Sequence, residues 1–488
     1  MKVVFYNPRA QVSHRRLPLS VLFVARTIPA PHTWEIIDAN VMPDAEARLD
    51  AAVRADPAHT ALLVTVMPGP QLQQATPWCR ALKARYPALT IVWGGYFPTL
   101  YPEAVCRDAA VDYVVIGQGE QTAPDLLDAL DRGEDGATLP GVAAWRDGAL
   151  VRGSAQPNAR GGAWPDPPYH RLPMETYAAK TFLGKRTFNH QSSAGCPYVC
   201  NFCAVTNMFQ GRWIPDPAED VIRVARHLHD RYRADAIEFH DNNFFVSERR
   251  CRAFADGIAD AQMRWWGEGR IDTMVRWSGD TWSAMAKSGL AMVFYGAESG
   301  DQAALDRMDK GGLKVEHTLE LNRLARAHGV VPEFSFVLGN PDDPQGDIDR
   351  SLALIRRLKA DNPACEIILY LYTPVPLPGM FDDATAQGFS FPQTLDEWLG
   401  PRWRLYENRR NPQTPWLTPQ MVRQVYDFEA VLHARWPSVS DRNLRGWQRR
   451  TLRALSAPRY RAGWYAAPVE LKLLQRLWRY RRPEEMGF

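Results

Sequence analysis

The residues best placed to do chemistry are Cys196, Cys200 and Cys203, in the run Ser193-Ala194-Gly195-Cys196-Pro197-Tyr198-Val199-Cys200-Asn201-Phe202-Cys203. A C-x₃-C-x₂-C spacing just after a strand-like stretch places three thiolates on one loop. Three thiolates can ligate three irons of a cubane. Because such clusters normally take four, one iron is left open to a small molecule. An open iron is reactive, and the cluster is expected to be oxygen-sensitive. Zinc is a competing reading, but a tetrahedral zinc site wants a fourth Cys or His at finger-like spacing, and His190 is the close candidate. Packed free thiols are another. The other cysteines, Cys79, Cys106, Cys251 and Cys365, are scattered and read as buried small hydrophobes.

The loop needs a scaffold, and the sequence predicts an α/β protein. From 1 to 132, short apolar runs at 3–6, 34–38, 61–66, 90–93 and 113–116 alternate with helical stretches such as 74–85, the pattern of a doubly wound, Rossmann-like domain. Gly and Pro follow several runs directly, as in Asn7-Pro8, Pro68-Gly69-Pro70, Gly94-Gly95 and Gly117-Gln118-Gly119-Glu120. These are the carboxyl ends of strands, where open α/β sheets bind ligands. Residues 133–186, rich in Gly, Pro and Asp, are expected to be a connector on the surface. From 187 to 400 strand-like runs at 236–240, 265–268, 292–296, 333–337 and 367–372 recur at roughly the spacing of βα units, which predicts a full or partial (β/α) barrel. Residues 401–488 form a helical, basic C-terminal region.

With its aromatic residue before the last cysteine, the cysteine run resembles the signature of the radical S-adenosylmethionine (SAM) superfamily. The resemblance implies a 4Fe-4S cluster on Cys196, Cys200 and Cys203, with SAM chelating the open iron and cleaved to a 5′-deoxyadenosyl radical. It puts Phe202 near the adenine. It also assigns cofactor contacts at the barrel's carboxyl rim: Asp241, Asn242, Glu268 and Glu298 toward the SAM amino group or ribose, and Arg270 toward its carboxylate. The run Tyr372-Thr373-Pro374-Val375-Pro376-Leu377-Pro378-Gly379-Met380 resembles the proline-rich rim loop of cobalamin-dependent members.

A doubly wound domain ahead of such a barrel resembles the cobalamin-binding domain of one branch of that superfamily. The matching residues are Thr65, Gly94, Gly95, Gly117, Gln118, Gly119 and Glu120, and glycines there let backbone amides approach a bulky corrin. Nicotinamide binding is disfavoured, since no G-x-G-x-x-G opens the first helix. The D-x-H-x-x-G loop of histidine-ligated carriers is also missing. The stretch after the first strand reads Asn7-Pro8-Arg9-Ala10-Gln11-Val12-Ser13-His14-Arg15-Arg16, so cobalamin is expected base-off, without a protein histidine beneath cobalt. The implied activity is a cobalamin-dependent radical SAM methyltransferase acting on an unactivated carbon of a small or lipid-like metabolite. The alternatives are a cobalamin-dependent cyclase or ring-rearranging enzyme without net methyl transfer and, more distantly, a metal-binding regulatory or scaffold module. An electron donor such as flavodoxin or ferredoxin is implied.

Composition frames these readings. The 488 residues are 45% hydrophobic and 23% charged, ordinary globular values. Seven cysteines are too sparse for a secreted disulfide framework, and no apolar run reaches the ~18 residues of a membrane span, so a soluble cytoplasmic protein is expected. The net charge of +3 hides an uneven distribution, because residues 441–488 hold twelve Lys/Arg against four Asp/Glu. Nucleic acid is not expected as a partner. A solvated helix face explains most such runs, but peripheral contact with anionic membranes is the sharper reading of arginines interleaved with Trp447, Trp464 and Trp478. Trp398, Trp403, Trp416, Trp436 and Trp447 are candidates for a hydrophobic substrate pocket or for helix packing.

Overall fold

The computed structural model describes residues 1–10, 15–156, 164–404, 406, 413–439 and 444–480. In the first domain β1 (Lys2–Asn7), β2 (Thr33–Asp38), β3 (Thr60–Thr65), β4 (Thr90–Gly94) and β5 (Tyr113–Val115) run parallel in the order β2-β1-β3-β4-β5. These strands lack polar alternation because helices cover both faces. Val4, Leu62, Val64, Ile91 and Trp93 fill one apolar layer, and Val3, Phe5, Ala61, Leu63 and Val92 the other.

Two strands fall where a connector is expected: β6 (Val142–Arg146) and β7 (Ala149–Arg152) pair antiparallel with each other and, through β6, with β5. Asp147 and Gly148 join them with φ of 51° and 80°. Positive φ at both central residues is what a tight I′-type hairpin turn needs, and Asp-Gly supplies it. Nor does the rest of 133–186 merely wrap the surface. Tyr169, Leu172, Met174 and Tyr177 are buried in the second domain's core, and the Tyr177 hydroxyl donates to Asp38 at 2.8 Å.

The second domain opens with β8 (Thr187–His190), β9 (Ser193–Gly195) and β10 (Trp213–Pro215), of which β9 and β10 make a small antiparallel pair. It continues with β11 (Ala236–Phe239), β12 (Arg264–Gly269), β13 (Leu290–Glu298), β14 (Val331–Leu338) and β15 (Glu366–Leu371). Six parallel strands stand in the order β8-β11-β12-β13-β14-β15, and among the described residues β8 and β15 do not pair, so the barrel is partial. Helices between the strands begin where the sequence provides caps: Ser247 Oγ accepts from Arg250 N, and Ser278 Oγ from Thr281 N.

After the barrel the chain turns back. Phe389, Leu395, Trp398, Trp403 and Tyr406 pack into a core layer of the first domain, with the rings of Phe97 and Trp398 5.1 Å apart. At about 1.5–3 kcal/mol for each large side chain fully buried, this aromatic return makes the interdomain joint a packed interface, not a tether. The helices Pro419–Arg435, Gly446–Ala462 and Val469–Leu477 complete the chain. No helix among the described residues is long and apolar enough to cross a membrane.

Candidate functional site

The cysteine loop leaves β9 through Gly195 and ends where the helix Ala204–Phe209 begins. Cys200 is buried, while Cys196 and Cys203 are partly exposed. Two N–H donors are aimed at sulfur: Arg270 Nη1 lies 3.4 Å from Cys200 Sγ, and Asn243 Nδ2 3.6 Å from Cys196 Sγ. Donors of this kind tune Fe–S potentials. No three His, Cys, Asp or Glu side chains among the described residues converge as one metal ion would require. A mononuclear zinc site needs such convergence, whereas a cubane takes its thiolates on separate irons. His190 is turned elsewhere. Its Nδ1 is 2.9 Å from the Tyr169 hydroxyl, and burial pushes its pKa down to about 3. Three thiols on one loop with donors beside them therefore fit a cubane.

Most of the rim residues are already engaged by partners within the protein. Asp241 is fully buried and its carboxylate accepts from Ser192 N at 3.0 Å, Ser192 Oγ at 2.8 Å and Ser193 Oγ. It is expected at the SAM amino group or ribose, but its oxygens are spent holding the segment that leads into the cysteine loop. Arg270 differs from expectation in the same way. Its fork meets Asp272 through Nε at 3.0 Å and Nη2 at 2.9 Å, and its guanidinium stacks 3.6 Å from the Tyr198 ring centroid, so it is not free for a ligand carboxylate. Asn242 Oδ1 accepts from Gly195 N at 2.9 Å. Glu298, held at φ 61°, pairs with Lys310, whose ammonium lies 5.4 Å from the Phe202 ring centroid. Phe202 packs with Met308, Val337, Tyr372 and Met380, which ties the proline-rich rim loop to the cysteine loop. Burial, and then the charge of Asp241, pushes Glu268 up to about 8, with Arg16 opposing.

Sequence reasoning missed Lys310, Asn243 and Asp272. Lys310 comes from a loop between helices and carries no spacing signal. Asn243 directly follows Asp241 and Asn242 after β11, and that position is a signal that was available.

A cavity of about 450 Å³ opens between the two domains. On one wall stand Thr65, Gly94, Gly95, Gly117, Gln118, Gly119 and Glu120, and on the other Ser193 and Ala194, which lead into the cysteines, with Met208, Phe209, His240 and Asn242. All seven residues expected to contact cobalamin share this one space. Gly95 has φ +93°, and a Cβ there would sit 2.9 Å from Thr65 Oγ1, so the backbone runs bare along the wall. Phe202, Asp241, Glu268, Arg270 and Glu298 do not line it; Phe202 and Arg270 lie against Cys200, and the three carboxylates stand at the ends of the barrel strands. Arg26 closes one end, 3.8 Å from Glu120 and 4.5 Å from the Phe23 ring centroid, with its Nε unpaired. Bare backbone, an apolar floor of Val21, Leu63 and Val92 and a polar rim suit a bulky corrinoid. His14 lies outside the described residues.

The tryptophans serve packing. Trp398 and Trp403 belong to the aromatic return, Trp416 stacks on Tyr372, Trp436 meets Tyr460 and Trp447 meets Trp478. None of the five lines the interdomain cavity.

An open sheet with a ligand edge, followed by a partial barrel with three cysteines at its mouth, defines a two-cofactor radical enzyme. Comparison with known proteins agrees: residues 9–127 match the B12 binding domain and residues 191–355 the radical SAM superfamily. The chain belongs to the cobalamin-dependent radical SAM enzymes, whose cofactors are cobalamin, SAM and a 4Fe-4S cluster. It is 25% identical over 421 residues to a protein of Pyrococcus horikoshii named as an uncharacterized methyltransferase, covering 83% of this chain and 86% of that one. It is 25% identical over 346 residues to the anaerobic magnesium-protoporphyrin IX monomethyl ester cyclase of Synechocystis sp., covering 68% and 67%. In fold it resembles the radical SAM methyltransferase TsrM of Kitasatospora setae, solved with tryptophan and a SAM analog, at TM-score 0.63 and 17% identity over 79% of this chain and 76% of that one.

Proposed function

We propose that this enzyme is a C-methyltransferase that acts on an unactivated carbon of a small or lipid-like metabolite. The observation that carries the proposal is the single cavity joining the seven first-domain residues to the strand entering the cysteine loop, because substrate must meet both cofactors in one water-poor space. When bound, the cluster with SAM supplies radical chemistry, and cobalamin a transferable methyl group.

The chain's own residues then have separate tasks. Cys196, Cys200 and Cys203 hold the cluster, and Arg270 and Asn243 donate toward two of the sulfurs. Asp241 fixes Ser192 and Ser193, and so the angle at which the loop leaves β9. Phe202, Asn242, Glu268 and Glu298 stand on the SAM side. Thr65, Gly94, Gly95, Gly117, Gln118, Gly119 and Glu120 stand on the cobalamin side. Met208, Phe209 and Ile214 exclude water between them. The electron enters from a small cytoplasmic reductant of the flavodoxin or ferredoxin kind.

A second reading, cyclisation or rearrangement without net methyl transfer, is favoured by the relative named as a cyclase. Mass spectrometry separates the two. Anaerobically reconstituted enzyme, given metabolite extract, SAM labelled in its methyl group and a reductant, should move label into a product one methylene heavier than its precursor. A product of unchanged carbon count, with SAM consumed, would establish the second reading instead.

A further inference from the structure

The C-terminal helices carry a surface that the interior chemistry does not use. Among the described residues nine large apolar side chains are exposed, and seven of them fall between Val439 and Leu477. Packing does not account for the exposed aliphatic residues of the last helix, because other residues of the C-terminal helices do that work: Leu452, Tyr460 and Leu471 are buried against the body of the protein. In the last helix Val469, Leu473 and Leu477 stand at i, i+4 and i+8, on one face, and are 68%, 55% and 65% exposed. Trp464, 59% exposed, precedes that helix with the Arg459 guanidinium 3.9 Å from its ring centroid.

The last two helices and the turn that follows them also carry cations. Arg450, Arg453, Arg461, Arg476 and Arg479 have no carboxylate partner among the described residues, whereas Arg459 and Lys472 pair with Glu470 and Asp427. Arg435, Arg453 and Arg461 crowd one another: burial first, and then repulsion from the other two, lowers the Arg435 pKa.

We propose that this surface docks peripherally on an anionic lipid membrane, with Val469, Leu473 and Leu477 entering the interface and the arginines meeting acidic headgroups. Aliphatic side chains at helical spacing beside tryptophans and arginines are what an interfacial helix presents. A nucleic acid would use the cations and stack on the aromatic rings, but has nothing to offer three aliphatic chains. An acidic protein would leave the same stripe without an apolar counterpart. The membrane satisfies both halves of the surface, and charge complementarity names the acidic leaflet.

The test is flotation of the full-length, cluster-loaded protein with vesicles of phosphatidylcholine alone or with added phosphatidylserine, at low and high salt. Wild type should float with the acidic vesicles at low salt, and release as salt rises. The variant Val469→Glu, Leu473→Glu, Leu477→Glu, all at exposed positions, should stay at the bottom of the gradient. The variant Arg450→Gln, Arg453→Gln, Arg461→Gln should lose affinity on the order of a hundredfold, from three cations near an acidic surface. The proposal is overturned if folded wild type never floats, or if neutral vesicles bind it equally well. It is also overturned if wild type is a dimer that the Glu variant converts to a monomer without either binding vesicles, because the face is then covered by a second copy.

Discussion

On the first-domain wall of the cavity the chain offers mostly what it lacks, with Gly94, Gly95, Gly117 and Gly119 leaving bare backbone. At the barrel mouth it offers crowded side chains, each with a partner: Asp241 with Ser192 and Ser193, Arg270 with Asp272, Lys310 with Glu298. The contrast follows from what each side has to hold. A corrinoid is large and rigid and needs room and approach, which glycine provides. A cluster and a flexible ligand need fixed geometry, which hydrogen-bonded side chains provide. Damage to the two walls should therefore look different.

The largest effect is expected at the cysteines. Ala at Cys196, Cys200 or Cys203 should abolish iron incorporation and SAM cleavage, read by iron analysis and by 5′-deoxyadenosine release. Ala at Cys79, Cys106 or Cys251, thiols that burial pushes up to about 12, or at Cys365, pushed to about 11, should spare both. A Cys200→Ala enzyme with full iron would remove the basis of the barrel side.

On the opposite wall, Gly95→Val puts a branched side chain at φ +93° and into Thr65. Backbone strain of roughly 1–3 kcal/mol predicts a loss of cobalamin affinity of about ten- to a hundredfold. Iron content should not change. Titration by absorbance measures the first and iron analysis the second, and equal loss of both would erase the distinction between the walls. Asp241→Asn should do the reverse, keeping cobalamin while lowering SAM cleavage by about ten- to a hundredfold, as loss of a supporting shell does.

The same contrast explains what could be read from sequence. Barrel strands β11 to β15 and every parallel strand of the first sheet were legible, because buried parallel strands are short apolar runs, whereas β8, with Asn189 and His190 in its four residues, carries no such run. The glycine wall was legible too, since its meaning lies in residue type and place after a strand. What escaped depends on partners distant in sequence. Asp241 has the right position for a ligand contact, yet Ser192 and Ser193, about fifty residues earlier, claim its oxygens. Arg270 is claimed by Asp272, two residues on. The hairpin β6–β7 escaped although its Asp147-Gly148 pair is a turn signal, because Gly and Pro around it suggested a connector. The return of 380–406 to the first domain left no mark except its aromatic density.

A smaller, spectroscopic difference sharpens the same comparison. If the first-domain wall contributes backbone and not ligands, cobalt(II) in the bound cobalamin should show no three-line splitting from an axial nitrogen in electron paramagnetic resonance. Among the described residues lining the cavity, the histidine is His240, on the barrel side. Splitting that vanishes in a His14→Ala protein would give the first domain a ligand after all.

The subtlest expected effect lies with Glu268, where the crowding of the barrel side has an electrostatic cost. Burial, then the negative charge of Asp241, lifts its carboxyl from 4.5 to about 8, while Arg16 pulls the other way. Between those two values the folded protein keeps a proton that the unfolded chain releases, so protonation favours the folded state and stability falls as pH rises through the window. Below about 4.5 both states are protonated and above about 8 both are charged, so the contribution is flat at either end. Glu268→Gln is neutral throughout. Its melting temperature should therefore gain on wild type as pH goes from 5 to 8, by on the order of a few degrees. The melts are to be run on protein without cofactors, so that ligand binding does not enter. In an Asp241→Asn background the gain should shrink, because one of the two causes is gone; a gain that is constant across the range, in either background, would mean that Glu268 titrates as an ordinary carboxylate and that the barrel mouth is wetter than its packing implies.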